Sequence, residues 1–127
     1  MKMTWLVVLL GMGISAAAQK TDTLRYPSEK HLKNIQQLTF GGDNAEAYWS
    51  FSGKNLTFQS NYSGFGAKCD QIFWMPAKPG KKFKVNPVSH GKGRTTCSYF
   101  LPGDRSILFA STQAAGETCP PDVPREK

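Results

Sequence analysis

Residues Leu38–Ser60 read Leu-Thr-Phe-Gly-Gly-Asp-Asn-Ala-Glu-Ala-Tyr-Trp-Ser-Phe-Ser-Gly-Lys-Asn-Leu-Thr-Phe-Gln-Ser. Two short apolar runs, Ala45–Phe51 and Asn55–Gln59, flank the corner Ser52-Gly53-Lys54. β-Branched and aromatic residues on both sides of a glycine, which accepts a positive φ, are typical of a β-hairpin. The segment therefore predicts two antiparallel strands joined by a tight turn.

The same pattern recurs later in the chain. Tyr48–Gly53 is echoed by Ser98–Gly103, an offset of 50 positions, and Leu56–Ser60 is echoed by Ile107–Ser111, an offset of 51. A period of roughly 40–50 residues built from short strands is typical of propeller blades. The sequence thus predicts an all-β chain with the β-propeller fold.

Each blade is expected to contain four strands. The predicted strands are Ala45–Phe51, Asn55–Ser60, Asp70–Met75 and Phe83–Val88 in the first blade, then Thr96–Leu101 and Ser106–Ser111 in the second. Trp49 and Tyr99 would hold equivalent places on the innermost strands and pack between blades. Because about one and a half blades cannot close a ring, we expect an N-terminal fragment of a longer propeller, with the remaining blades encoded downstream.

The first eighteen residues have the features of a secretory signal peptide. Lys2 supplies a positive charge, Trp5–Leu10 forms an apolar core, and Ala16–Ala18 forms a small-residue cleavage site. The apolar core is too short to span a bilayer, so no transmembrane segment is predicted. Residues 19–37 form a polar segment that is either extended, as a ring-closing strand, or contains a helical turn at Glu29–Gln36. The blades then occupy residues 38–127.

The net charge of +7 does not point to a nucleic-acid partner. The basic residues are spread along the chain, and their one cluster, Lys78–Lys84, surrounds the turn signal Pro79-Gly80. No nucleic-acid-binding motif is present. We interpret the cluster as a solvated hairpin tip.

Three motifs follow one another in the first blade, Trp49–Lys54, Leu56–Gly64 and Asp70–Met75. They resemble the TolB-like β-propeller repeat, which runs W-S-P-D-G-K, then I-x-F-x-S-x-x-x-G, then D-I-Y-x-M. This chain departs where Phe51-Ser52 replace Pro-Asp. The resemblance covers residues 38–112 and implies a six-bladed ring, located in the bacterial periplasm or secreted, that binds proteins or other ligands. A shared fold does not by itself fix function.

The three cysteines, Cys69, Cys97 and Cys119, are expected near one rim of the propeller. Cys69 and Cys119 are 50 positions apart, in the same loop of successive blades, and Cys97 begins the inner strand of the second blade. An oxidising compartment favours a disulfide. We expect Cys97 to pair with Cys69 or with Cys119. The alternative is a zinc site made by the three thiols and His90.

The loops on that rim are the candidate ligand-binding surface, because loops on a rigid scaffold commonly carry binding residues. The candidate residues are Asp43, Glu46, Asp70, His90, Lys92 and Arg94. No Gly-x-Ser-x-Gly elbow occurs, and no cofactor is predicted. We therefore expect a non-enzymatic binding or scaffold module for a protein or a polar, saccharide-type ligand. The alternative is the accessory propeller of an enzyme, such as a serine peptidase, whose catalytic domain lies beyond Lys127.

Overall fold

A computed structural model describes residues 24–78 and 84–122. The described part contains six strands and one short 3-10 helix, and it contains no α-helix. The strands are β1 (Asn44–Trp49), β2 (Asn55–Ser60), β3 (Gln71–Pro76), β4 (Asn86–Pro87), β5 (Thr95–Phe100) and β6 (Ile107–Ser111), and the 3-10 helix is Ser63–Phe65. The all-β prediction is confirmed. The predicted signal peptide, residues 1–18, and most of the basic turn lie outside the described residues.

The first four strands form one antiparallel sheet in the order β1-β2-β3-β4. The hairpin predicted from Leu38–Ser60 is confirmed, and β2 has the predicted bounds. β3 begins and ends one residue later than predicted. Within the predicted fourth strand, Asn86–Pro87 forms β4 and the Val88 N–H donates to the Ile72 carbonyl at 2.8 Å, while the beginning of that prediction lies outside the described residues.

β5 and β6 form a second antiparallel sheet that repeats the first hairpin. Asn44 pairs with Ser60, and Thr95 pairs with Ser111, so the two hairpins have the same register 51 positions apart. Each hairpin contains a register shift at the same place, between the second and fifth residues of its first strand. The pairing therefore corrects the predicted alignment, in which the first strands were offset by 50 positions.

The corrected register changes the roles of the inner-strand aromatic residues. Trp49 matches Phe100, and Tyr48 matches Tyr99, so the predicted equivalence of Trp49 and Tyr99 is wrong. Trp49 is 59% exposed and Tyr99 is 53% exposed, whereas Phe100 is buried. Of these positions, Phe100 is the one that packs in the interior.

The hydrophobic core lies on one face of the four-stranded sheet. Leu56 is opposite Met75, and Phe58 is opposite Phe73, so these four side chains share a face. All four are buried. Phe65, from the 3-10 helix, covers this face, with its ring centroid 5.4 Å from that of Phe73. The alternation of β2 thus directs its large apolar side chains to one side and its polar ones to the other.

The other face of the sheet is covered by β5. The hydroxyl groups of Thr57 and Ser98 lie 2.7 Å apart, and the Thr96 hydroxyl donates a hydrogen bond to the Gln59 side chain at 2.6 Å. Ile72, which is opposite Gln59 on β3, is fully buried. Buried hydroxyl groups need hydrogen-bond partners, and the Thr57–Ser98 contact supplies them on both sides of this interface.

The turn of the second hairpin also contacts the turn of the first. The Asp104 carboxylate accepts hydrogen bonds from the backbone N–H groups of Phe51 at 2.7 Å and Ser52 at 2.9 Å. Hydrogen bonds from the side chain and backbone of Ser52, and from the backbone of Phe51, lower the pKa of Asp104 because they favour the ionised form.

We expect Asp104→Asn to lower the free energy of unfolding at neutral pH. Asn tolerates the left-handed backbone of this position, where φ is +57°, so the change removes mainly the charge. Because the folded-state pKa is lowered, the stabilisation is complete above the ordinary aspartate pKa of about 3.9 and is lost as the pH falls through the folded-state value. Urea unfolding of both proteins at neutral and acidic pH tests this. An equal destabilisation at both pH values would contradict it.

The described residues 24–35 belong to a unit separate from the two sheets. The Glu29 carboxylate accepts hydrogen bonds from the N–H groups of His31 and Leu32. Residues 24–37 contain neither a strand nor a helix. The helical turn predicted at Glu29–Gln36 is absent, because Leu24 and Leu32 are exposed and no apolar face is buried to stabilise it. Residues 19–23 of the predicted ring-closing segment lie outside the described residues.

Candidate functional site

The strand directions bring four connecting segments to one end of the two sheets. β1, β3 and β5 begin at this end, and β2, β4 and β6 finish there. We call it the loop end; it consists of residues 36–43, 61–70, 88–94 and 112–122. The prediction that the loop after β2 and the loop before β5 lie on the same side is confirmed. Of the predicted ligand-face residues, the loop end contains Asp43, Asp70, His90, Lys92 and Arg94, whereas Glu46 lies within β1.

A disulfide between Cys69 and Cys119 joins two segments of the loop end. The Cα atoms of the two residues are 6.0 Å apart, although 50 positions separate them in the sequence. Cys69 is buried, and its sulfur lies 3.3 Å from the carbonyl oxygen of Gly93. The two cysteines occupy corresponding loops of the two repeats, so the packing of β5 across the first sheet brings them together.

Cys97 is free and exposed, so the expected bridge between Cys97 and one of the other cysteines is wrong. Cys97 lies within β5, in the register shift of that strand, with a φ of +52°. A bulge of this kind breaks the alternation of the strand and changes the direction of its side chain. The zinc alternative is also wrong, because the disulfide uses two of the three thiols that such a site would need.

A buried hydrogen-bond network anchors the loop before β5. The Gln71 side-chain amide donates to the carbonyl oxygen of Gly93 at 2.8 Å, and its oxygen accepts from the Ser89 hydroxyl at 2.6 Å and from the Gly91 N–H at 3.1 Å. The Ser89 hydroxyl oxygen in turn accepts from the Ile72 N–H at 2.9 Å. Gln71 and Ser89 are both buried. The loop is therefore held to β3 by polar contacts within the protein.

Charged side chains from both repeats meet at the loop end. The Arg94 guanidinium lies between two carboxylates, with Nε 3.7 Å from Asp70 Oδ2 and a terminal nitrogen 2.6 Å from Asp122 Oδ1. Lys92 Nζ lies 2.6 Å from Glu117 Oε1. Ion pairs on a surface each contribute only about 0–1 kcal/mol to the free energy of unfolding. These contacts therefore matter mainly because they fix the positions of the charged groups.

The remaining predicted residues, Asp43 and His90, take no part in these ion pairs. The side-chain amide of Asn61 donates to Asp43 Oδ2 at 3.0 Å, and Asn61 Oδ1 accepts from the Asp43 N–H at 2.8 Å, so these two residues close the base of the first hairpin. His90 is exposed, and its side chain makes no hydrogen bond to the residues that the structure describes. The structure therefore pairs Asp70 with Arg94, whereas Asp43 is hydrogen-bonded to Asn61.

Sequence reasoning missed four residues that shape the loop end: Gln71, Ser89, Glu117 and Asp122. Gln71 and Ser89 are isolated polar residues in or beside strands, and no spacing marks them as partners. Glu117 and Asp122 belong to an irregular segment without periodicity. The one available signal is Cys119, because a disulfide to the first repeat would bring its neighbours to the same end.

Comparison of the chain with protein-family models, curated proteins and solved structures found no match. Within residues 24–78 and 84–122, no helix has the length and apolar composition that crossing a membrane requires.

Proposed function

We propose that this chain is an exported β-propeller module that binds a protein or a polar, saccharide-type ligand through its loop end. It would belong to the TolB-like class that the motifs of its first repeat resemble. The proposal is supported by a four-stranded antiparallel meander followed by a second hairpin of the same register, packed face to face. Successive propeller blades have this arrangement.

Export is supported by two independent features. The first eighteen residues have the order of charge, apolar core and small residues that typifies a signal peptide. The Cys69–Cys119 disulfide fits an oxidising compartment such as the periplasm or the cell exterior.

The observation that carries the binding proposal is the construction of the loop end. Charged side chains from both repeats are displayed there by loops that a buried Gln71–Ser89 network and a disulfide hold in place. Pre-organised polar groups lose little conformational entropy when a ligand binds. This combination of rigidity and mixed charge suits recognition of a polar surface.

We expect loss of binding when charge is removed from the loop end, but not from the opposite end. Lys92→Ala with Arg94→Ala removes two positive charges from the loop end, and Lys54→Ala with Arg105→Ala removes two from the turns at the other end. The wild-type protein and both variants would be applied to an array of immobilised saccharides and peptides. The loop-end variant should bind the retained ligand at least about tenfold more weakly, which corresponds to a loss of about 1.4 kcal/mol of binding free energy.

Equal retention by both variants would contradict the assignment of binding to the loop end. Retention of no saccharide or peptide by the wild-type protein would contradict the binding function itself. Unfolding curves of both variants would verify that each retains the native fold.

A further inference from the structure

The register shifts of β1 and β5 place two unusual residues at equivalent positions. Glu46 in β1 and Cys97 in β5 have φ values of +51° and +52°, in the left-handed region. This backbone is unfavourable for residues other than glycine and is commonly retained where it directs a side chain for function. Bulges serve the same purpose in strands beside binding sites.

Two tyrosines stack next to these bulges. The ring centroids of Tyr48 and Tyr99 are 4.6 Å apart, with an angle of 38° between the ring planes. They come from equivalent positions on β1 and β5, and Tyr99 is 53% exposed. The pair therefore presents aromatic surface to solvent and does not contribute it to the core.

The carboxylate of Glu46 lies at the edge of this aromatic pair. It accepts a hydrogen bond from the Tyr48 hydroxyl at 2.6 Å. The hydrogen bond and the negative charge of Glu46 raise the pKa of Tyr48, because both disfavour a second negative charge there. In the part of the chain that the structure describes, the ion pairs involve other carboxylates, and Glu46 has no cationic partner.

We propose that Glu46, Tyr48 and Tyr99 form a binding site for an alkylammonium or guanidinium cation. The carboxylate supplies the opposite charge, and the exposed ring of Tyr99 supplies a face for a cation–π contact. A saccharide would also stack on the rings, but a carboxylate without an ion-pair partner attracts a cation more strongly than a neutral sugar. The site lies on the strands, apart from the loop end, and does not depend on the function proposed for that end.

The test is an NMR titration of the full chain carrying ¹³C-labelled tyrosine rings. The chain has four tyrosines, so Tyr26 and Tyr62 act as internal controls. We expect n-butylammonium chloride to shift the ring signals of Tyr48 and Tyr99 selectively, with an affinity in about the millimolar range. The neutral molecule 1-pentanol should not produce these shifts at the same concentrations.

A matched pair of variants isolates the carboxylate. Glu46→Gln should weaken n-butylammonium binding by about fivefold, because it removes one charge while keeping the shape of the side chain. Glu29→Gln removes the same charge from a residue outside both proposed sites, whose carboxylate contacts the N–H groups of His31 and Leu32, and should leave the binding unchanged. Equal binding of 1-pentanol by the wild-type protein, or unchanged binding by Glu46→Gln, would overturn the proposal.

A second titration identifies the source of the cation. Acetyl-Gly-Lys-Gly-amide would be compared with n-butylammonium and with the neutral acetyl-Gly-norleucine-Gly-amide. Tighter binding of the lysine peptide than of the amine would support a protein side chain as the ligand, and equal binding of the two cations would support a free amine. Equal binding of the lysine and norleucine peptides would overturn a cation site.

Discussion

Replacing Cys69 and Cys119 together with alanine is expected to lower the free energy of unfolding by about 4 kcal/mol. The disulfide closes a segment with a sequence separation of 50, and it restricts the unfolded chain more than the folded one. Because domains of this size are stable by only about 5–15 kcal/mol, the change is a large part of the total. Urea unfolding followed by tryptophan fluorescence measures it.

Cys97→Ala is the matched control for this experiment. Cys97 is free and exposed, so its replacement should change stability by no more than about 0.5 kcal/mol. A reducing agent should destabilise the wild-type protein to the level of the double variant and leave that variant unaffected. Greater destabilisation by Cys97→Ala than by the double variant would contradict the observed pairing.

Replacing Phe100 with alanine is expected to cost about 3–5 kcal/mol. Phe100 is 5% exposed, and it lies two residues after Ser98 on the side of β5 that faces the first sheet. Its removal would leave a cavity between the two sheets. Since β5 covers the sheet at this interface, loss of this buried side chain would weaken the packing of the second hairpin against the first sheet.

Trp49→Ala is the control, because Trp49 has the same position in the first hairpin but is exposed. We expect it to cost no more than about 0.5 kcal/mol. Chemical unfolding of both variants, followed by circular dichroism, gives the comparison without relying on the tryptophan signal. Similar costs for the two changes would show that Phe100 does not hold the sheets together.

The strands were predictable because short-range chemistry determines them. In β2, Leu56 and Phe58 alternate with Thr57 and Gln59, and this alternation matches the observed division between the core face and the β5 face. The loop end was also predictable in outline, since hairpin connectivity alone decides which loops share a side.

The predicted offset of 51 between the second strands is confirmed, but the offset between the first strands was predicted as 50 because glycine is the usual sequence sign of a positive φ. The sequence alignment matched Gly53 with Gly103. In the structure, Gly53 and Asp104 have corresponding turn hydrogen bonds, to Ser50 and Leu101, and both have a positive φ. An aspartate in the left-handed region is less frequent than a glycine, so composition alone does not reveal it.

The contacts of the loop end were beyond the sequence for a different reason. The partners of Arg94 and Gln71 come from distant, irregular segments whose positions depend on the packing of β5. The pairing of Cys69 with Cys119 depends on the same packing. Cys97 lies in the bulge of β5, which directs its side chain elsewhere and leaves it without a partner. The periodicity of the sequence contains no information about the packing of β5 or about the bulge at Cys97.

The shared register of the two hairpins has a consequence for how such a chain can grow. Because the same bulge and the same pairing recur after 51 positions, a duplication of one whole unit would preserve every strand pairing within each hairpin. Deletion of a single residue inside β1 would instead move the following side chains to the opposite face. Duplication can therefore lengthen this architecture in whole units, whereas a single-residue deletion within a strand would exchange its buried and exposed side chains.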